Sequence, residues 1–274
     1  MVAPGLKSEQ EIGVAHFSAI SLTPMNFAKA AAGAGFSRIG LRLNPAFPGA
    51  PYYELPHGGH AAEELKAVLR GEAIEVFDIE FFVIDPSFNA SSLEPIVAAA
   101  ANIGAKRLSV CGDDPDVSRL QSNFSEFCDL AGRYGLAVDI ENMGWRTVRT
   151  FADSVNLLKS SGAPNAGALV DGVHFFRNGA TLTSLRAEID RVKHVQLCDL
   201  AGPPPSTAEA MIAEARGKRL APGDGELPLG ELIAIADGAA ASVSVEVPLS
   251  GSGDVEEHLK RLFEGAVRIL NPGQ

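Results

Sequence analysis

Leu136-Ala137-Val138-Asp139-Ile140-Glu141 follows Gly135 and ends on a carboxylate. Its aliphatic and β-branched run reads as a buried strand. Upstream, residues 117–134 carry Leu120, Phe124, Phe127, Cys128 and Ala131 at three- and four-residue spacing. That is the period of a helix with one apolar face. Gly135 stands between the two, where a helix stops in a left-handed cap and the chain turns straight into a strand. This unit of helix, glycine and strand then recurs. Residues 24–34 close at Gly35, with Thr23 as N-cap and Pro24 at the first helical position. Residues 92–103 close at Gly104, and 151–161 close at Gly162.

Strand-like runs fall at 12–17, 38–43, 73–82, 107–111, 136–141, 166–171, 193–197 and 242–247. Eight strands alternating with helices over 274 residues predict an α/β protein, a single-domain (β/α)8 TIM barrel spanning 1–274. Two connections are long. Residues 44–59 carry Pro45, Pro48, Pro51 and Pro56 with Tyr52, Tyr53 and His57. Residues 198–227 carry Pro203-Pro204-Pro205, a helical piece at 208–217, and Pro222-Gly223-Asp224-Gly225. Both follow strand ends, so both are expected over the active face.

Composition narrows the function. The chain is 46% apolar and 21% charged, with a formal net charge of −11. That charge argues against nucleic acid or an anionic membrane as partner. No run of about 18 apolar residues is present, so no spanning helix is expected. Lys7, Glu9 and Glu11 stand where a signal peptide needs an apolar core. Three cysteines without a Cys-x-x-Cys pair fit a reducing, cytoplasmic setting.

Four strands end on an oxygen-bearing side chain: Glu141, Asp171, Gln196 and Glu246. On successive parallel strands these groups converge at the C-terminal mouth of a barrel. Three carboxylates and one amide oxygen suit a hard cation. The competing expectation is neutralisation by arginines, for which Arg42, Arg146, Arg177, Arg216 and Arg219 are available.

Val170-Asp171-Gly172-Val173-His174, His194-Val195-Gln196-Leu197-Cys198-Asp199, Arg219-Leu220-Ala221-Pro222-Gly223-Asp224-Gly225-Glu226-Leu227 and Ser244-Val245-Glu246-Val247-Pro248 resemble the xylose-isomerase-like TIM-barrel superfamily. The likeness covers nearly the whole chain, and its more specific parts are Gln-Leu-Cys-Asp and Pro-Gly-x-Gly. It implies one Mn²⁺ or Mg²⁺ held by Glu141, Asp171, Gln196 and Glu246. Most isomerases and epimerases of the superfamily place a His where this chain has Gln196, while its 3-dehydroshikimate dehydratases resemble this chain in having Gln. The resemblance also places His174 beside the metal.

The expected activity is isomerisation or epimerisation of a sugar-like hydroxy-carbonyl compound, through proton abstraction and a metal-stabilised enolate. Glu141 and Glu246 are the candidate bases and His174 the candidate acid. The alternative is a dehydratase of the 3-dehydroshikimate or inosose type. Arg216 and Arg219, three apart, are expected on one helix face, where they could clamp a substrate carboxylate or phosphate. Arg42, in a buried strand, is a further candidate for binding the substrate and needs a partner, and Glu80 is the candidate partner or pocket acid. Trp145, Phe175 and Phe176 are candidate pocket walls, and His194, two residues before Gln196, is expected one layer deeper as a structural histidine. A homo-oligomer is possible on the same reading.

Overall fold

Strands β1 (Ile12–Val14), β2 (Arg38–Arg42), β3 (Glu75–Ile84), β4 (Arg107–Gly112), β5 (Ala137–Glu141), β6 (Ala166–Asp171), β7 (Val192–Leu197) and β8 (Ser242–Val245) run parallel in chain order, and β8 pairs back onto β1. The computed structural model describes residues 11–239 and 241–272. Lys7 and Glu9 lie outside them. Among the described residues, ten α-helices surround the sheet: α1 (Pro24–Ala34), α2 (His60–Gly71), α3 (Glu94–Asn102), α4 (Val117–Arg133), α5 (Phe151–Ser161), α6 (Gly172–Arg177), α7 (Leu182–Ala187), α8 (Ala208–Gly217), α9 (Leu229–Ala236) and α10 (Val255–Leu270). The expected (β/α)8 barrel is therefore the fold. Among the described residues, no helix is long and apolar enough to cross a membrane.

Local chemistry accounts for the boundaries. Thr23 accepts from the Asn26 N–H and Pro24 opens α1, while Thr150 and Asp153 form a reciprocal capping box on α5. Gly35 closes α1 at φ 106°, and a Cβ there would strike the Phe263 ring. Boundaries differ from the sequence reading at several ends, including β8, which stops at Val245. β1 ends at Val14 because residues 16–19 coil into a 3-10 turn, with the His16 N–H donating to Glu80 (2.9 Å). β3 starts late because Ala73 takes φ 54° and the Ile74 N–H bonds back to Leu69 O. A 3-10 turn at Ala90–Leu93 delays the start of α3.

The apolar core lies between sheet and helices. Phe27, Phe82, Phe124, Phe127 and Phe175 are fully buried there, each worth about 1.5–3 kcal/mol of transfer free energy. The inside of the barrel is instead polar, with Arg42, Asp78, Glu80, Ser109, Asp139 and His194 all buried. Such groups need partners. Arg107 pairs with Asp139, Ser109 donates to Asp78 (2.8 Å), and His194 Nε2 meets Ser244 Oγ (2.8 Å). Gly40 makes room for this layer, since a Cβ would come within 2.5 Å of both Asp78 Oδ1 and Glu80 Oε1.

Candidate acid–base and metal centre

The strand ends bring the expected carboxylates together at the C-terminal mouth. Glu141 closes β5 and Asp171 closes β6. Asp171 is also the N-cap of α6, its Oδ1 accepting from the His174 N–H at 3.1 Å. That cap sets His174 beside Glu141, with Nε2 3.9 Å from Oε1. The Asn142 amide donates to His174 O (2.9 Å), and Trp145 packs edge-on against the imidazole, centroids 5.1 Å apart. Donor atoms of Glu141, Asp171 and His174 all lie within 4.8 Å of one another. Gln196 pairs with Asp171 across the sheet and is buried. Glu246 stands just past β8, its N–H donating to Leu197 O (3.0 Å).

Arg219 enters this cluster. Its Nη1 is 2.5 Å from Asp171 Oδ2, 3.0 Å from Glu246 Oε2 and 3.1 Å from Glu246 O, and its Nε donates to Ala215 O (2.8 Å). The expectation of two arginines on one helix face is corrected here: α8 ends at Gly217, and Arg219 lies beyond it, buried among the carboxylates. Arg216, in the last turn of α8, lies over the Phe47 ring at 4.0 Å. The two diverge because Arg219 lies between the end of the helix and Leu220, which bridges to Asp199.

The electrostatics follow from burial. Glu141 is held well above the usual carboxylate range by desolvation, with Asp171 and Glu246 adding repulsion. Glu246 is pushed up to about 7 by burial, against the opposing pull of Arg219. Burial would raise Asp171 too, but Arg219 and the His174 N–H outweigh it and hold that carboxyl below its usual range. The difference between Arg219's two partners matches their geometry, since Asp171 has the shorter contact and the extra N–H donor. Burial lowers His174 to about 4, leaving it neutral near pH 7.

These residues fit a divalent cation. Glu141, Asp171 and Glu246 face one guanidinium, an excess of two negative charges when all are ionised. That excess adds to the burial that raises Glu141, and a doubly charged ion would balance it. The expected competition between arginine and metal is therefore partial: Arg219 neutralises one charge of three. Glu141, Asp171 and His174 have the compact spacing that ligation needs.

A cavity opens above the cluster. Glu141, His174 and Glu246 reach it from below, and Phe17, Phe47, Phe81, Met143 and Trp145 wall it. Arg42, Arg146, Arg216 and Arg219 also line it. Arg42 pairs with Glu80 at 3.2 Å, as expected, and lies over Phe17. Arg146 pairs with Asp113 (2.5 Å). Around Arg216 the charges are alike, because burial and then Arg146 and Arg42 all lower its proton affinity. Phe175 is no pocket wall, being sealed between Phe151 and Phe176. Phe17, Phe81 and Phe47 escaped the sequence reading because aromatic residues near strand ends carry no mark of which way they face. His194 is the buried structural histidine expected.

The sequence model of the xylose isomerase-like TIM barrel family matches residues 28–264. The chain belongs to that family. No curated protein matches its sequence. Among solved structures, a xylose isomerase-like TIM barrel/4-hydroxyphenylpyruvate dioxygenase fusion protein superposes with a TM-score of 0.78 at 18% identity. It covers 96% of this chain, which spans only 43% of the fusion protein's length. The IolI protein with a binding zinc atom has a TM-score of 0.75 at 16% identity, covering 95% of this chain and 98% of its own. The probable 3-DHS dehydratase AsbF from Bacillus anthracis has a TM-score of 0.75 at 13% identity, covering 94% and 99%. At these identities the likeness to each is one of fold, and the xylose isomerase-like barrel is what they share.

Proposed function

We propose that this chain is a divalent-metal-dependent isomerase or epimerase of an anionic hydroxy-carbonyl compound. The carrying observation is that Glu141 and Glu246, both with raised proton affinity, face one arginine-lined cavity. We place the metal on Glu141, Asp171, Gln196 and Glu246, with His174 as a further nearby donor. When bound, a Mg²⁺ or Mn²⁺ ion supplies Lewis-acid stabilisation of negative charge developing on a substrate oxygen. The zinc in the IolI structure, of the same fold, supports a metal in this barrel mouth.

The protein's own groups supply the rest. Arg216, with Arg42 and Arg146 behind it, holds a substrate carboxylate or phosphate through charge-assisted hydrogen bonds. Phe17, Phe81 and Trp145 exclude water around the reacting carbons. Glu141 or Glu246 removes the proton beside the carbonyl, a task suited to a carboxylate whose proton affinity burial has raised. Return of that proton to the neighbouring carbon isomerises the substrate, and its return to the opposite face of the same carbon epimerises it.

Dehydration is the second reading, favoured by His174. Its neutral imidazole, beside Glu141, can donate a hydrogen bond to a β-hydroxyl, while Glu141, whose proton affinity burial raises, gives the proton that leaves with it. Gln196 in place of a His, and the shared fold with a probable 3-DHS dehydratase, support the same reading. The test is incubation with Mn²⁺ in D₂O of a panel of carboxylated hydroxy-ketones and sugar phosphates. Deuterium entering the carbon beside the carbonyl supports the common first step, and a panel that shows neither deuterium uptake nor loss of water counts against both readings. An unchanged product mass apart from deuterium marks isomerisation or epimerisation. Loss of water with new ultraviolet absorbance marks dehydration.

A further inference from the structure

The two most specific pieces of sequence, 196–199 and 222–227, fold onto each other through one carboxylate. Asp199 is buried. Its Oδ1 accepts from the Leu200 N–H (2.8 Å) and the Leu227 N–H (3.0 Å), and its Oδ2 from the Gly223 N–H (3.0 Å). Three backbone donors satisfy a charge that would otherwise be costly to bury. The fit is tight: a Cβ on Gly225 would collide with Asp199 Oδ1 and Leu200 O, and Gly223 takes φ 86°. The Asp199 backbone also bonds Leu220 in both directions, N–H to O at 2.9 Å and O to N–H at 2.8 Å.

Leu220 follows Arg219. In an extended bridge, neighbouring side chains point to opposite sides. Fixing Leu220 against Asp199 therefore fixes the direction in which Arg219 leaves the chain, toward Asp171 and Glu246. Asp199 itself does not line the cavity. We propose that Asp199 is a positioning residue: by gathering the 219–227 segment around its carboxylate, it holds the Arg219 guanidinium between two carboxylates of the centre and so sets the charge, and the cation affinity, of the site. The cation-affinity part rests on the metal reading above.

The test uses Mn²⁺ alone, titrated at pH 8 into the whole protein and into R219Q, D199N, G225A and the D199N/R219Q double variant. Removing the guanidinium removes a positive charge beside the ion. R219Q should tighten Mn²⁺ by about tenfold or more, as expected for like charges a few ångströms apart at reduced dielectric. D199N should tighten it less, in the same direction, and should add nothing once Arg219 is gone. G225A, which displaces the Asp199 carboxylate without altering its charge, should behave as D199N does. A D199N effect of equal size in both backgrounds would overturn the proposal.

A second readout needs no metal. The Arg219 Nε–H, bonded to Ala215 O, should exchange slowly with solvent in the wild type and quickly in D199N and G225A by nitrogen-15 NMR. Slow exchange persisting in both variants would equally overturn the positioning role. Mn²⁺ binding that is absent, or unaffected by Glu141→Gln, would remove the metal reading while the exchange measurement still decides on Asp199.

Discussion

Arg216 stacks its guanidinium 4.0 Å from the centre of the Phe47 ring, joining the two long loops over the barrel mouth. Phe47 belongs to the proline-rich loop after β2 and Arg216 to α8 in the loop after β7. The stack orients a cation that has like charges as neighbours. A planar guanidinium fits such a stack, and a lysine does not.

Arg216→Ala should therefore raise KM for the anionic substrate by roughly tenfold or more, since a hydrogen bond to a charged group contributes about 1.5–3 kcal/mol. Arg216→Lys should recover only part of the loss. Steady-state kinetics on the substrate found by deuterium exchange checks this. Full activity in Arg216→Ala, or a best substrate that is a neutral sugar, would return Arg216 to the role of a solvated surface group.

Gln196→His should shift metal preference toward Zn²⁺ over Mg²⁺. Gln196 lies beside Asp171 in register, and imidazole nitrogen suits zinc better than an amide oxygen does. Competition titration gives the ratio directly, and an unchanged ratio would remove Gln196 from the ligand set.

Asp78 predicts a pH-dependent stability. Burial pushes its carboxyl from 3.8 up to about 7, against the stabilising Ser109 hydrogen bond and with Asp139 adding repulsion. Between about pH 4 and about pH 7 the folded protein holds a proton that the unfolded chain has released. Its contribution to stability is thus complete below about pH 4 and is lost as pH rises through about 7. Asp78→Asn removes this titration. The variant's gain in Tm over wild type should be larger at pH 8 than at pH 4, and thermal unfolding at the two pH values measures it. An equal difference at both would show that Asp78 carries no such shift.

Gly40→Ala should destabilise the barrel by about 1–3 kcal/mol, the cost of overpacking a filled interior. The added methyl would press on both Asp78 Oδ1 and Glu80 Oε1, and Glu80 in turn holds Arg42 and the His16 N–H. Urea unfolding checks the magnitude. A neutral result would mean that the polar layer can shift without loss.

Much of the architecture is local and so was legible in the chain. Glycine caps at 35 and 162, the Thr23 N-cap and the apolar period of 117–134 act within a few residues, which is why these helix ends fell close to where they were expected. Strand ends carrying Glu141, Asp171, Gln196 and Glu246 were legible for a related reason: in a parallel barrel, the end of a strand is also its place at the mouth. Boundaries failed where a distant partner intervened, as at His16, drawn out of β1 by a carboxylate on β3.

The sequence by itself determined the alternation of elements, hence the barrel, and the four oxygen-bearing side chains at or beside its strand ends. Only the tertiary structure decided how those charges are balanced. Arg219 could have been a surface residue by composition and spacing, but the Asp199–Leu220 bridge turns it inward to Asp171 and Glu246. Arg42 found Glu80, Arg146 found Asp113, and Phe17 and Phe81 became the wall of the cavity. These choices depend on contacts between residues tens to hundreds of positions apart. A side chain's partner in a closed barrel is set by sheet register and loop path, and neither is encoded in the few residues around it.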